Sequence, residues 1–181
     1  MGQRIDTIAY RRKRQGHTDY RRRLKMLSGN GIRLVVRKSL QHTYAQLIEY
    51  GAEGDRILAT ANTEELRKYG WKMNGGNLMS GYLVGILIAQ KAKACKVQKA
   101  IFDIGAIAST KGSRLYSVLK GAVAGGLQIP HDASILPSDD RIMGKHVQMQ
   151  SSGFSKYRAA GIAPEGLAAV IMATKERIVK G

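Results

Sequence analysis

Acidic residues are scarce in this 181-residue chain: 13 Asp and Glu stand against 30 Lys and Arg, a formal net charge of +17. An excess of that size points to a polyanionic partner. Cysteine is nearly absent. Cys95 alone permits no internal disulfide and no cysteine-based metal site, is compatible with a reducing cytoplasm, and reads as a small, part-buried apolar residue. Long apolar runs are missing as well. The longest, Tyr82 to Ala89 with one glycine inside, falls far short of the roughly 20 residues that a bilayer span needs. The opening MGQRID has no apolar signal core, and Asp6 sits where a myristoylation signal wants Ser or Thr. Few apolar residues precede Leu24, so a basic amphipathic membrane helix is disfavoured and no membrane partner is expected.

Catalytic groupings are equally thin. The stretch Gly105-Ala-Ile-Ala-Ser-Thr-Lys111-Gly-Ser113 resembles a phosphate loop only superficially, because Thr110 stands where a Walker-type loop needs glycine before the lysine. A nuclease gathers several carboxylates around two metals, yet Asp103 is the only acid at the end of a predicted core strand. It reads as a structural acceptor for loop amides. His17, His42, His131 and His146 lack metal-ligand spacing, and no nucleophile-elbow pattern is present. No cofactor, metal or small-molecule substrate is expected. Of the histidines, His42 stands out for its place between a basic strand and Tyr44. Trp71 reads as a rim or core anchor rather than a base-stacking platform.

What is abundant is cationic charge at the start. The first 25 residues hold nine Lys and Arg against Asp6 and Asp19, with Tyr10 and Tyr20 each opening a basic run. Charges this dense repel one another, so the arm, residues 1–31, is expected to stay open until a polyanion neutralises it. Guanidinium forks match phosphate oxygens and tyrosine rings stack on unpaired bases, which makes RNA the natural partner. A solvated surface arm is the plainer alternative.

Periodicity organises the rest. Thr18 or Asp19 caps a short helix through Tyr20, Leu24 and Leu27 that presents Arg21, Arg22, Arg23 and Lys25. Ile32 to Lys38 alternates Leu34 and Val36 against Arg33, Val35 and Arg37, a strand with one basic face and a candidate docking surface. Thr43–Tyr50 and Arg56–Ala61 predict a hairpin. Asn62 with Glu65 opens a short helix ending near Gly70, and Asn77 opens a long one through Ala94 that is apolar nearly all round and should be central. Val97–Ile104 predicts a strand, and Ser113 caps a helix carrying Leu115, Val118, Leu119, Ala122 and Val123. The compact core is expected over 32–127. From Gln128 to Lys156 the pattern fades around Pro130 and Pro137, and a terminal amphipathic helix follows Pro164, so 128–181 reads as an extension. Strands first, then helices alternating with a strand, give an α/β (α+β) class: a mixed sheet covered by helices.

Several motifs in fixed order carry a resemblance. Arg37-Lys-Ser39-Leu-Gln-His42-Thr-Tyr-Ala-Gln46, Glu65-Leu-Arg-Lys-Tyr-Gly-Trp-Lys72, Phe102-Asp-Ile-Gly105, Thr110-Lys-Gly-Ser-Arg114 and Leu119-Lys-Gly-Ala122 resemble the universal large-subunit ribosomal protein family that binds 5S ribosomal RNA. The basic arm and the stretch from Gly126 to Arg141 resemble its longer archaeal and eukaryotic-type members. The resemblance implies a translational-machinery fold related in topology to ribonuclease H, without enzymatic activity. It also implies a cytoplasmic ribosomal location in the central protuberance, with 5S rRNA, large-subunit rRNA and a neighbouring 5S-binding ribosomal protein as partners. Carried over by motif, Arg11, Arg12, Lys13 and Arg14 thread along RNA, and Arg21, Arg22 and Arg23 grip the backbone beside them. Arg37, Lys38, Ser39 and His42 match the strand-to-loop motif and Lys111 and Arg114 the second basic loop, with Arg33, beside the start of the first strand, added to these contacts. The loop Ala106-Ile-Ala-Ser109 departs from the pattern, having neither aromatic nor basic character. A nonspecific nucleic-acid-binding protein and a ribonuclease-H-like nuclease are the competing readings.

Overall fold

A computed structural model of the chain describes residues 7–29, 31–148, 161 and 166–180. Helices α1 (Arg11–Arg14) and α2 (Tyr20–Leu27) precede strands β1 (Arg33–Lys38), β2 (Thr43–Gly51) and β3 (Gly54–Asn62). After a 3-10 turn at Glu65–Tyr69 come α3 (Leu78–Ala94), β4 (Ile101–Asp103) and α4 (Arg114–Ala124). Three short pieces follow, a 3-10 turn at Ala133–Ile135, α5 (Asp139–Ile142) and α6 (Lys145–Gln148), before the terminal α7 (Leu167–Lys180).

The strands form one mixed sheet in the order β3-β2-β1-β4. Strands β1 and β2 pair antiparallel with Leu34 opposite Leu47 and Val36 opposite Ala45, while β4 pairs parallel with β1. Side chains alternate across a strand, so this register sends Leu34, Val36, Ala45 and Leu47 to one face, where all four are fully buried. Helix α3 lies on that face. Twelve of its 17 residues are buried, which makes it the central helix anticipated from its all-round apolar pattern. Asn77 caps it by accepting a hydrogen bond from the Ser80 N–H at 2.7 Å.

Helices α3 and α4 approach backbone to backbone. A Cβ on Gly121 would fall onto the Tyr82 carbonyl, and one on Gly85 onto the Val118 carbonyl, so glycine is required at this crossing. On another side of α3, α7 buries Leu167, Ile171, Thr174 and Ile178, one stripe at helical spacing. Arg177 also donates to the Tyr69 carbonyl at 3.3 Å.

The edge strand β3 is partly closed by α3. Its outward carbonyls at Leu58 and Thr60 accept from the Cys95 thiol and the Lys91 ammonium, and Lys91 also pairs with Glu65. At the opposite edge Gln128 bridges Lys99 in parallel, with the Ala100 N–H donating to the Gln128 carbonyl at 3.0 Å.

Four expectations change. The predicted strand Val97–Ile104 shrinks to Ile101–Asp103, because the chain leaves α3 through Lys96 at a positive φ of 57° and meets β1 at only three positions. Cys95 is exposed, not part-buried. The turn after Asn62 is 3-10 rather than α, though the Asn62 side chain accepts from the Glu65 N–H at 2.9 Å as read. Buried apolar residues continue past 127, with Ile129, Ile142, Val147, Leu167, Ile171 and Ile178 all in the core. Pro164 and the stretch 149–160 lie outside the described residues.

Candidate nucleic-acid interface

The second face of the sheet carries Arg33, Val35 and Arg37 of β1, with Asp103 opposite Val35 on β4. Helix α2, which buries none of its residues, is held beside it by polar side-chain contacts. Asp19 starts that helix by accepting from the N–H groups of Arg21 and Arg22, at 3.0 and 3.2 Å. A chain of charges then ties α2 to the sheet. Arg23 bonds Asp55 at 2.9 Å, Asp55 takes Arg33 at 2.9 Å, Arg33 reaches Asp103 at 3.4 Å, and Arg37 lies 3.7 Å from Asp103. Arg22 donates to the Gly105 carbonyl at 3.3 Å. Asp103 also accepts from the Gly105 N–H at 2.7 Å, the structural role read from the sequence.

This geometry revises the open arm. Asp55, 32 residues beyond Arg23, supplies a counter-charge that ties α2 down where the local excess of cations leaves it free. Burial pushes the Asp55 carboxyl up, but the bonds from Arg23 and Arg33 outweigh it and hold the group below the usual carboxylate range. At Arg37, burial lowers the pKa first, partly offset by the attraction of Asp103 and reinforced by Arg33 and Arg22. Arg33 is 2% exposed and spends its cationic ends on two carboxylates. It braces the sheet and presents no surface to a phosphate, which corrects its place among the candidate contacts.

A second cluster forms where loops meet. The β1–β2 loop is closed by Ser39, whose hydroxyl accepts from the His42 N–H at 2.9 Å. His42 rests its Nδ1 on the Thr63 hydroxyl at 3.1 Å and places Nε2 3.4 Å from Glu64. Arg114, the first residue of α4, bonds the Ser39 carbonyl, and burial lowers its pKa. Lys38, Ser39, Leu40, Gly76 and Arg114 thereby enclose an open groove of about 540 Å³. Leu40, at its lip, is 97% exposed.

The cations of the ladder therefore differ from those of the arm and loops in how they are engaged. Arg11, Arg12, Lys13, Arg14, Arg21, Lys38 and Lys111 are exposed and pair with no carboxylate among the described residues. Arg12 instead bonds the Thr18 hydroxyl at 3.0 Å. Tyr10 and Tyr20 pair at 5.2 Å between ring centroids, with Tyr10 73% exposed. A cleft of about 120 Å³, lined by Arg12, His17, Arg22, Arg37 and Ala106 among others, joins the arm to the end of β4. Trp71, at 1% exposure, is a core residue. Sequence reasoning missed the ladder's Asp55, the bare Leu40, and Arg141 as a neighbour of Lys111. Only Leu40 carried a signal, an apolar residue alone within a polar turn.

The described residues contain no helix long and apolar enough to cross a membrane, and no His, Cys, Asp and Glu cluster able to hold a metal ion. Residues 6–99 and 90–132 match the family model described as ribosomal large subunit proteins 60S L5, and 50S L18. The chain is also 41% identical to the large ribosomal subunit protein uL18 of Korarchaeum cryptofilum (strain OPF8), an alignment covering 94% of this chain and 93% of that one.

Proposed function

The chain belongs to the family of ribosomal large subunit proteins 60S L5 and 50S L18, a structural component of the large subunit and not an enzyme, and on that footing we propose that its task is to hold 5S rRNA. In this reading it links 5S rRNA to the large-subunit rRNA in the central protuberance, beside another 5S-binding ribosomal protein. The observation that supports it most is the division of the cations. Those of the ladder are consumed internally, while Arg11, Arg12, Lys13, Arg14, Arg21, Lys38 and Lys111 are exposed without a carboxylate among the described residues. Unpaired surface arginines and lysines of this density match a phosphate backbone, whose neutralisation releases counterions and makes affinity fall with salt. The folded core, with Ser39, His42 and Arg114 fixed in their loops, reads RNA shape and ribose hydroxyls. The arm supplies affinity.

Competition decides it. Labelled 5S rRNA is bound at several salt concentrations in the presence of excess transfer RNA, and 5S rRNA is expected to win at every one. Replacing Arg11, Arg12, Lys13 and Arg14 together by Gln is expected to flatten the slope of log K against log salt by about 3, at roughly 0.7–0.9 per phosphate neutralised. Equal competition by transfer RNA removes the specific reading in favour of nonspecific binding.

A further inference from the structure

Leu40 is the most exposed large apolar side chain among the described residues, at 97%. Single exposed leucines are common on protein surfaces, so exposure alone carries little. What sets this one apart is the bracing of its backbone. The Ser39 N–H donates to the His42 carbonyl at 2.9 Å and the His42 N–H returns to the Ser39 hydroxyl at 2.9 Å, which closes the loop at its base. The Arg114 guanidinium holds the Ser39 carbonyl from the start of α4. Gly75 and Gly76, ahead of α3, press in from the other side. A Cβ on Gly76 would fall 2.5 Å from the Leu40 carbonyl, and one on Gly75 2.8 Å from the Gln41 carbonyl. A loop braced in this way presents its apex before any partner arrives, so covering Leu40 costs little ordering.

The surroundings define what covers it. The groove of about 540 Å³ beside Leu40 is walled by Lys38, Ser39, Gly76 and Arg114, with no acid among them. Lys38 pairs with no carboxylate among the described residues. Arg114 spends one nitrogen on the Ser39 carbonyl and has further N–H groups left over. An occupant must therefore bring negative charge and a bare apolar surface side by side. A protein segment does so only where a carboxylate happens to adjoin an apolar side chain. Every nucleotide of an unpaired stretch does so by construction, with a phosphate next to a base whose flat faces are free.

We propose that Leu40 packs against the face of an unpaired base of 5S rRNA, with Lys38 and Arg114 on the phosphates beside it, an inference that rests on the function proposed above. Cations alone register where phosphates lie. An apolar cap on a base adds a contact that a paired, stacked base cannot make without leaving its neighbours, so Leu40 selects RNA with a looped or bulged base at that point. Being apolar, the contact releases no counterion and leaves the salt dependence untouched.

Wild type, Leu40→Ala, Leu40→Phe and Lys38→Gln, each as the full chain, are titrated with 5S rRNA at several salt concentrations and with long-chain polyphosphate, which has the charge but no base. Leu40→Ala is expected to bind 5S rRNA about tenfold more weakly with an unchanged salt slope, and polyphosphate within about twofold of wild type. Leu40→Phe, whose ring stacks, is expected to match or exceed wild type on 5S rRNA. Lys38→Gln instead lowers the slope by about one. Base-specific chemical probing of the complex is expected to find a base that wild type shields and Leu40→Ala leaves reactive. An affinity of Leu40→Ala for 5S rRNA within about twofold of wild type, with the same bases shielded, overturns the proposal and points the groove to a protein partner. An equal loss on polyphosphate also overturns it, because the variant then disturbs the charged surface and not a base contact. Should transfer RNA compete equally with 5S rRNA in wild type while Leu40→Ala weakens both at constant slope, the specific 5S function fails and the base contact stands.

Discussion

Replacing Asp103 by Asn tests whether the charge ladder beneath α2 acts as a unit. The Asp103 side chain is 5% exposed and stands 3.4 Å from Arg33, whose own side chain is 2% exposed. Removing one partner of a buried ion pair costs about 3–5 kcal/mol, since the remaining charge is stranded away from water. Two features moderate the loss. Asn retains an oxygen for the Gly105 N–H, and Arg33 keeps its 2.9 Å bond to Asp55. The expected destabilisation is therefore about 2–3 kcal/mol. In urea, with a slope near 2 kcal/mol per M, the midpoint falls by about 1–1.5 M while the slope stays unchanged. Asp55→Asn, at a site 28% exposed, costs less, and the double variant costs more than the two singles added, because Arg33 then has no carboxylate at all. A midpoint shift below about 0.3 M in Asp103→Asn, or strict additivity in the double variant, refutes the ladder as a cooperative support.

Gly121→Ala places a methyl group against the Tyr82 carbonyl at the closest point of α3 and α4, and overpacking of this kind costs about 1–3 kcal/mol. Calorimetry should show the melting temperature down by several degrees; an unaltered value would mean that the two helices have slack. Asp55 gives the pH dependence. Its carboxyl is held below the ordinary value, so its contribution is complete above the unfolded pKa of about 3.9 and is lost as pH falls through the lower folded value. The stability difference between wild type and Asp55→Asn is thus expected to shrink on acidification below about pH 4, and a difference that stays constant to the acid limit contradicts the assignment.

Much of this architecture was legible because local chemistry and tertiary structure agree. Asn77 and Asp19, the latter one of two candidates with Thr18, do cap, whereas Ser113, read the same way, stands at the cap position of α4 without a side-chain cap bond, and the alternation of Leu34 and Val36 set the buried face of β1. The all-round apolar character of Leu78–Ala94 placed that helix at the centre. What escaped were pairings across distance. Arg33 and Asp103 lie 70 residues apart, and nothing in the local pattern of either announces the other. Arg33, Arg22 and Arg23 accordingly looked like free cations, when one is buried and two lean on the sheet. Cys95 was misjudged because its helix emerges from the core in its last turn, a boundary that hydropathy alone does not mark.

The stopped edges of the sheet carry a consequence for how this protein meets others. With the Leu58 and Thr60 carbonyls engaged from the end of α3 on one side and Gln128 bridged to Lys99 just ahead of β4 on the other, a foreign strand meets interrupted main-chain edges at these points. Whatever the molecule recognises, it recognises with fingertips rather than with its spine.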